Sequence, residues 1–259
     1  MTINDVLFFD TETTGIPDRN ANWETDFNEY PHIVQLAWMV GDTMESHIIR
    51  PVGWTIPEEA VAVHGITTEY AMEHGESFVL IIDRFIAFAK NARMICGHNI
   101  HFDTGIVKAN ILRELGREYF NMNDVATALY KGKRIDTMRS TMKWVDARNS
   151  WGKLKFPNLG ELYSRCFPGE TFPAHDALED VKAVARCFPV ILDLGLVELK
   201  VKEYPAESPK IDFNQPEKSG IGPILDAKQL PVQQAKAPQI ENLKKITDAA
   251  AELLDQNDF

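Results

Sequence analysis

The residue types best suited to acid–base or metal chemistry begin with a pair of acids at 10 and 12. Asp10 and Glu12 follow the apolar run that ends in Phe8 and Phe9. Because strand side chains alternate between faces, both carboxylates are expected on one face of a strand. Neighbouring carboxylates at the edge of a core repel each other and lose hydration unless a cation compensates them. The pair indicates a hard divalent cation such as Mg²⁺, although in isolation it is also typical of a solvated strand end.

Further acids and a histidine lie at the predicted starts of two helices. Asp103 follows His-Asn-Ile-His-Phe at 98–102, where the helix dipole also favours an acid. Asp180 lies beside the apolar stripe of a predicted helix over 177–194, and His175 lies just before that helix. Each of these acids is in isolation compatible with a solvated first turn. We interpret two neighbouring acids in that way, Asp176 and Glu179.

The elements that position these residues alternate between strands and helices over the first 198 residues. The pattern predicts strands at 5–10, 33–40, 44–49, 94–97 and 134–137. It predicts helices at 78–92, 102–115, 138–145 (with Asp136 as its cap), 159–166 and 177–194, the last bent at Pro189. Three successive strands followed by alternating helices and strands predict an α/β fold, with a mixed sheet flanked by helices.

Three motifs occur in order along this region. They are Phe-Asp-x-Glu-Thr-Thr-Gly at 9–15, His-Asn-x-x-Phe-Asp at 98–103 and His-x-x-x-x-Asp at 175–180. Together with 31–37, 63–67 and 135–137, they resemble the DEDDh 3′–5′ exonucleases of the DnaQ-like superfamily, which have an RNase H-like fold. The resemblance covers residues 4–195. Within the superfamily, the chain is similar to the proofreading epsilon subunits of bacterial DNA polymerase III.

The resemblance implies a two-metal hydrolase acting on single-stranded 3′ ends and releasing nucleoside 5′-monophosphates. The ions would be Mg²⁺, with Mn²⁺ as a substitute, about 4 Å apart. The implied ligands are Asp10 bridging both ions, Glu12 and Asp180 on the ion that carries the water, and Asp103 acting partly through water. His175 would take the proton from that water, which suits an unperturbed pKa of about 6.5. The implied substrate contacts are the main chain of Thr11, Thr13 and Thr14, and the side chains of His64, Asn99 and Phe102.

Other functions are weighed against this one. An RNA-trimming exonuclease of the same superfamily would use the same metal site, because discrimination depends on groups that meet the 2′ position. A non-catalytic nucleic-acid-binding module would be favoured if any of the five acid–base residues were replaced, and none is. A zinc site at His98 and His101 is a further alternative, but no third histidine lies nearby in sequence. We predict a proofreading-type exonuclease on single-stranded DNA.

Composition excludes some classes of protein. The 259 residues are 44% apolar and contain no run of 18 apolar residues, so no membrane span or membrane partner is expected. The first residues lack a basic segment, which argues against a secretory signal and for a cytoplasmic protein. Three cysteines without a CxxC spacing, Cys96, Cys166 and Cys187, are expected to be free thiols.

The net charge of −11 initially argues against a nucleic-acid partner. The segment 131–155, however, holds eight basic and two acidic residues, a net +6. Such a surface is often merely solvated, but beside a nuclease site it is suited to guide a strand. Two long segments, 16–30 and 130–157, are either substrate-facing elements or surface excursions, and we favour a surface excursion for 16–30.

The C-terminal region differs in composition from the rest. We predict an exonuclease domain over 1–198, a Pro-rich extended linker over 199–237 and an amphipathic helix over 238–259. In the last segment, apolar residues recur at spacings of three and four, which predicts one apolar helix face. This helix either folds back on the domain or docks on a polymerase-like protein partner, as the layout of proofreading subunits suggests.

Overall fold

A five-stranded mixed sheet lies at the centre of residues 3–200, the part of the chain that the computed structural model describes. Its strands are β1 (Val6–Thr13), β2 (Ile33–Val40), β3 (Thr43–Ile48), β4 (Met94–Gly97) and β5 (Arg134–Asp136). They lie in the order β3-β2-β1-β4-β5. β1 pairs antiparallel with β2 and parallel with β4, β2 pairs antiparallel with β3, and β4 pairs parallel with β5. β1 is therefore the central strand, as its apolar run predicts.

Helices connect the strands and cover the sheet. They are α1 (Glu58–His64), α2 (Thr68–His74), α3 (Phe78–Asn91), α4 (Ile100–Met122), α5 (Val125–Ala128), α6 (Thr137–Val145), α7 (Leu159–Cys166) and α8 (Ala177–Asp193). The predicted end of α4 coincides with a kink at Gly116, where φ is 79°. Asp136 caps α6, as predicted, and α8 continues through Pro189. The predicted mixed α/β fold is thus confirmed, whereas α1, α2 and α5 are additional to the prediction.

Alternate side chains of β1 enter two separate cores. Phe9 packs against Phe85 of α3, with ring centroids 4.9 Å apart. Phe8 packs edge-on against Phe188 of α8 on the opposite face, with ring centroids 5.2 Å apart. The period of two along the strand therefore decides which helix layer each following residue of β1 meets.

The segment 16–30, whose role as a substrate-facing element or a surface excursion stays a prediction, packs on α4. The Trp23 ring stacks on Phe120, with centroids 5.8 Å apart. Arg113 of α4 donates hydrogen bonds to the backbone oxygens of Phe27 (3.2 Å) and Tyr30 (2.7 Å).

The cysteines and helices of the described range agree with the composition. All three cysteines are free thiols, as predicted. Within residues 3–200 no helix combines the length and the apolar character that crossing a bilayer requires. The predicted linker, apart from its first two residues, and the predicted helix over 238–259 lie outside the described residues.

Candidate active site

Three carboxylates converge where β1 meets α8. Asp10 and Glu12 are in phase with Phe8 on β1, so they face α8, and Asp180 lies in the first turn of that helix. One carboxylate oxygen from each lies within 4.8 Å of the others. Within residues 3–200, this is the one group of three or more acidic, histidine or cysteine side chains so arranged. The tertiary structure thus brings together three of the four acids predicted to hold metal.

Gln35 of β2 holds the start of α8 against the sheet. Gln35 lies opposite Glu12 in the register of β1 and β2 and is buried. Its Oε1 accepts a hydrogen bond from the Ala177 N–H (3.1 Å), and its Nε2 donates to Asp176 Oδ2 (3.1 Å). Asp176, interpreted above as a merely solvated acid, also caps α8. Our sequence reasoning missed this positioning role, and the signal for it was a glutamine in an otherwise apolar strand.

Asp103 approaches the site from the opposite face of the sheet. It is buried in the first turn of α4, and Thr11, in phase with Phe9, points towards it. The Thr11 backbone N–H (3.1 Å) and hydroxyl (2.7 Å) both donate hydrogen bonds to Asp103 Oδ1. Asp103 is therefore held by Thr11, outside the cluster of three, and the water-mediated role implied for it stays a prediction. The Thr11 N–H is used within the protein, so it is not free to meet a nucleotide.

His175 and His64 lie at the mouth of the site. His175 is exposed, precedes α8 and has a φ of 70°, a strained conformation for a residue other than glycine. Partial desolvation of its ring by neighbouring atoms lowers the pKa of His175. Burial also lowers the pKa of His64, the nearby backbone of Thr13 opposes this shift, and the charge of His175 adds to it. The two histidine side chains are therefore near enough for their charges to interact.

The remaining predicted substrate residues lie around the same edge of the sheet. The Thr14 N–H donates to the His32 oxygen (3.0 Å), and the Thr13 hydroxyl donates to the Gly15 oxygen (2.6 Å). Asn99 precedes α4 with a φ of 65°, and its backbone N–H donates to Asp136 Oδ1 (3.2 Å). Phe102 is half-buried in the first turn of α4. Their contacts with substrate remain proposals.

The carboxylates of the site are difficult to ionise together. Burial, followed by repulsion from Asp180, Asp103 and Asp176, raises the pKa of Glu12 to about 8. Burial and then the charges of Asp103, Asp180 and Glu12 raise the pKa of Asp10 well above its usual range. Burial likewise raises the pKa of Asp103 and of Asp180. Raised carboxylate pKa values of this kind are typical of functional sites in which a bound cation compensates the negative charges.

The donor set fits a divalent cation. Its ligand atoms are all carboxylate oxygens, the type preferred by Mg²⁺ and Mn²⁺. Asp180 Oδ1 is buried and receives no hydrogen bond from any residue in the described range. A buried carboxylate oxygen without a donor requires a cation or water, so the residues present fit the metal that the sequence predicts.

His98 has a structural role instead of the alternative zinc role. Its Nδ1 contacts the Thr137 hydroxyl (3.0 Å), and its Nε2 contacts the Pro157 backbone oxygen (2.8 Å). His101 lies beside the Arg134 guanidinium, with 3.2 Å between Nδ1 and Nη1, an unfavourable position for a zinc ligand. Both ring nitrogens of His98 are thus occupied, and the zinc alternative is excluded.

Comparison with known families identifies the class of this chain. A family model described as an exonuclease, the RNase T family, matches residues 7–188. The chain belongs to the RNase T exonuclease family. This membership confirms the prediction of a DEDD-type 3′–5′ exonuclease in the DnaQ-like superfamily, a divalent-metal-dependent class of enzyme. No curated protein is significantly similar to the chain in sequence.

Solved structures of exonuclease I share the fold of this RNase T family member. The Escherichia coli enzyme in complex with a dA16 oligonucleotide is 21% identical with a TM-score of 0.54, over 73% of this chain and 40% of that chain. Its complex with a dT13 oligonucleotide is 21% identical with a TM-score of 0.54, over 72% and 40%. Exonuclease I from Methylocaldum szegediense is 19% identical with a TM-score of 0.52, over 73% and 40%. The match therefore spans about two fifths of each exonuclease I chain, and it confirms the RNase H-like fold.

Metal binding to the exonuclease site is expected to release protons near neutral pH. The Glu12 carboxyl, with a pKa of about 8, must lose its proton before it coordinates an ion. We expect Mn²⁺ affinity to rise by up to about tenfold per pH unit between about pH 6 and pH 8, and to level off above. Titration calorimetry in two buffers of different ionisation enthalpy measures the released protons. A Glu12→Gln variant should bind more weakly and with less proton release, whereas a pH-independent affinity in the unmodified protein would contradict the prediction.

The raised pKa of Glu12 also predicts how the free energy of unfolding of the metal-free protein depends on pH. Because folding raises the pKa of Glu12 from 4.5 to about 8, the folded state binds this proton more tightly than the unfolded state. The metal-free protein should therefore lose stability as the pH rises from 4.5 to about 8. Saturating Mn²⁺ should remove this loss, which thermal unfolding in EDTA and in Mn²⁺ will measure.

A Gln35→Leu substitution is expected to slow the exonuclease by displacing the start of α8. It removes the partners of the Ala177 N–H and Asp176 while keeping a buried side chain of similar size. We expect a loss of about 1–3 kcal/mol in the free energy of unfolding. We also expect a decrease of about 10–100-fold in kcat, as for other outer partners of metal ligands.

Ser46→Ala is the matched control for Gln35. It removes only the hydroxyl that accepts a hydrogen bond from Gln35 Nε2 (3.0 Å) and leaves the contacts to α8 in place. Its kcat should stay within about twofold of the unmodified enzyme, since this part-buried hydrogen bond does not reach α8 and a single neutral hydrogen bond has a small net effect. If Gln35→Leu also retained the unmodified kcat, Gln35 would not position Asp180.

Proposed function

We propose that this chain is a metal-dependent 3′–5′ exonuclease that removes nucleoside 5′-monophosphates from single-stranded DNA ends. The convergence of Asp10, Glu12 and Asp180 within 4.8 Å, with Asp103 behind them, carries the proposal. We further propose Mg²⁺ as the physiological ion, with Mn²⁺ as a substitute. The role of His175 as the general base is part of the same proposal.

Each residue of the site has a distinct task in this proposal. Asp10, Glu12 and Asp180 would hold divalent ions, which when bound supply positive charge to the scissile phosphate and lower the pKa of a coordinated water. His175 lies at the exposed mouth with a lowered pKa, so its imidazole is neutral near pH 7 and able to accept a proton. Thr11 orients Asp103 through two hydrogen bonds.

The choice of DNA is supported by the relatives and by the openness of the site. The exonuclease I of Escherichia coli, which shares the fold, has been captured with dA16 and dT13 oligonucleotides. The half-buried Asp10 and the exposed His175 leave the site accessible to a strand end. On the ground of these DNA complexes of relatives, we favour DNA over the RNA-trimming alternative.

Parallel digestion of DNA and RNA tests the substrate. Single strands of one sequence, labelled at the 5′ end, are incubated with the full chain and Mg²⁺. We expect a ladder that shortens stepwise from the 3′ end, faster for DNA, with nucleoside 5′-monophosphates as products. Faster trimming of RNA would overturn the substrate, and products cut internally would overturn the exonuclease reaction. The same digestion with Asp10→Asn controls for contaminating nucleases.

The proposed proofreading role and the proposed polymerase-like partner both depend on the C-terminal segment 238–259. We propose that the segment 238–259 docks on such a partner, because the layout is similar to that of proofreading subunits. Co-purification of the full chain and of a variant ending at Leu199 tests this docking. A partner retained by both would contradict it, and a partner retained only by the full chain would support it.

A further inference from the structure

A rigid hairpin beside the active-site edge presents an exposed tryptophan. Residues 146–157 form a hairpin with a bridge between Arg148 and Leu154. At its turn, the Asn149 side-chain oxygen accepts hydrogen bonds from the N–H groups of Trp151 (3.1 Å) and Lys153 (2.9 Å). Trp151 is nevertheless 73% exposed, against 0% for Trp38. An ordered turn that holds a large aromatic ring in solvent indicates a contact surface.

The surroundings of Trp151 are cationic. Arg148 lies on the same hairpin and pairs with Asp146. Arg139 of α6 pairs with Asp136 and stacks over Phe156, with 5.2 Å from its guanidinium carbon to the ring centroid. Lys143 and Lys153 are exposed and form no ion pair within the described part of the chain. We call these residues the hairpin surface: Arg139, Lys143, Arg148, Trp151, Lys153 and Phe156.

The hairpin surface is tied directly to the catalytic edge of the sheet. His98, next to Asn99 at the start of α4, contacts the Pro157 oxygen at the base of the hairpin (2.8 Å) and the Thr137 hydroxyl of α6 (3.0 Å). Asp136, which caps α6, accepts the Asn99 N–H (3.2 Å). The elements that carry Asp103 and the hairpin therefore meet at one edge of the sheet.

The chemistry of the surface favours a single strand over a protein. Protein interfaces are depleted in lysine at their centre, whereas surfaces for single-stranded nucleic acid combine cations that follow the phosphates with aromatic rings on which bases stack. The contrast with the chain as a whole is large, because the chain carries −11 overall whereas the hairpin surface holds four cations, of which Lys143 and Lys153 form no ion pair within residues 3–200. Charge complementarity thus points to a polyanion with exposed bases.

We propose that the hairpin surface binds the strand several nucleotides 5′ of the end being hydrolysed, with a base stacked on Trp151. This inference rests on the proposed exonuclease function and assigns the path of the strand outside the catalytic site. The surface gives the enzyme a higher affinity for long strands than for short ones. It also supplies the unpaired cations Lys143 and Lys153 to the phosphates of a strand that the net charge of the chain otherwise repels.

The length dependence of binding and trimming tests the proposal. Affinity is measured by fluorescence anisotropy on an Asp10→Asn background, so that the strand stays intact, with a dinucleotide and with single-stranded DNA of about ten nucleotides. We expect Trp151→Ala to weaken binding of the long strand by about fivefold or more, in line with stacking on one ring. The KM advantage of long over short strands in the active enzyme should decrease by a similar factor. Trp151→Phe should restore part of both.

Two controls separate stacking from non-specific effects. Leu80→Ala removes another exposed apolar side chain (67% exposed), on α3, whose core residues pack on the opposite face of the sheet from α8. It should keep the unmodified length dependence. Combining Lys143→Gln with Lys153→Gln should reduce the slope of log Kd against log salt concentration by about 1.4, as expected for two phosphate contacts on a single strand.

The outcomes are distinguishable from a failure of the exonuclease function itself. If the unmodified chain trims strands but Trp151→Ala keeps their length dependence, the hairpin inference is wrong and the exonuclease proposal stands. If the unmodified chain trims no strand, the exonuclease proposal fails, and with it the inference. If Trp151→Ala changes only the oligomeric state in light scattering, the surface is an interface between copies of the chain, and the inference is overturned.

Discussion

An Asp10→Asn variant is expected to lose exonuclease activity while becoming more stable without metal. Asp10 has acidic neighbours on several elements of the site. Burial and then the charges of Asp103, Asp180 and Glu12 raise the pKa of its carboxyl. Removing its charge relieves that repulsion, so we expect the melting temperature in EDTA to rise by a few degrees, about 2–4 °C per kcal/mol. The same change removes a metal ligand, so trimming should fall by more than about 100-fold.

Bound metal is expected to make the unmodified chain more stable than Asp10→Asn, the reverse of the order expected in EDTA. An ion that binds only the folded state stabilises it by about 2.7 kcal/mol at a concentration 100 times its Kd. In saturating Mn²⁺ the unmodified chain should therefore gain stability, whereas Asp10→Asn should gain little. Thermal unfolding with and without Mn²⁺ measures both effects in one experiment.

Asp42→Asn serves as the matched control for Asp10. Asp42 is an exposed acid in the turn between β2 and β3, so the same change in charge there should alter neither activity nor metal response. An Asp10→Asn protein that trims strands normally, or that melts below the unmodified chain in EDTA, would show that Asp10 is not a shared metal ligand under electrostatic strain.

Replacing His175 is expected to slow hydrolysis without weakening metal binding. A positioned general base contributes about 10²–10⁴-fold, so His175→Ala should lower kcat by this factor. His175 is not a member of the carboxylate cluster, and the Mn²⁺ affinity should stay within about twofold, as for a residue outside the coordinating set. Single-turnover trimming and Mn²⁺ titration measure the two quantities separately.

The backbone at His175 requires a second variant. Its φ of 70° is unfavourable for alanine, whereas asparagine tolerates this region. His175→Asn therefore removes the base with less backbone strain, and it should show the same loss of kcat as His175→Ala. If His175→Asn retained full activity, the defect of the alanine variant would come from the backbone and not from the missing imidazole.

The pH profile identifies the proton acceptor. Partial desolvation of its ring lowers the pKa of His175, so the neutral imidazole should persist below the usual value of about 6.5. Activity at saturating metal should therefore be present above this pKa and decrease as the pH falls through it. His175→Asn should lack that acid limb. An unchanged limb in the variant would assign it to the carboxylates instead.

The common face of Asp10 and Glu12 could be predicted because it depends only on the alternation of side chains along one strand. The starts of α7 and α8 were likewise predictable from local apolar periodicity and capping residues. The boundaries of β1 were less accurate: the predicted strand ends at Asp10, whereas the observed strand continues to Thr13, so Glu12 also lies inside it. Pairing with β2 extends the strand over residues that the apolar pattern alone would leave in a loop.

The short helices α1 and α2 were not predicted. Each has seven residues, too few for a clear period of 3.6, and they pack on Val34 and Ile56 in a small separate core. Their omission matters for the site, because His64 ends α1 and comes to lie near Thr13 and His175. Only the packing of that core places the histidine there.

Local patterns in the chain are enough to establish the residue types present, the faces that neighbouring side chains share and the order of the three acidic motifs of one exonuclease family. The folded structure was needed to show that Thr11 holds Asp103 across 92 positions and that Gln35 holds the start of α8 across 142. It was also needed to show that the Trp151 hairpin joins the catalytic edge. The difference arises because side-chain periodicity depends only on backbone geometry within one element. A shared cation or a hydrogen bond between distant residues depends instead on strand register and helix docking to within about an ångström.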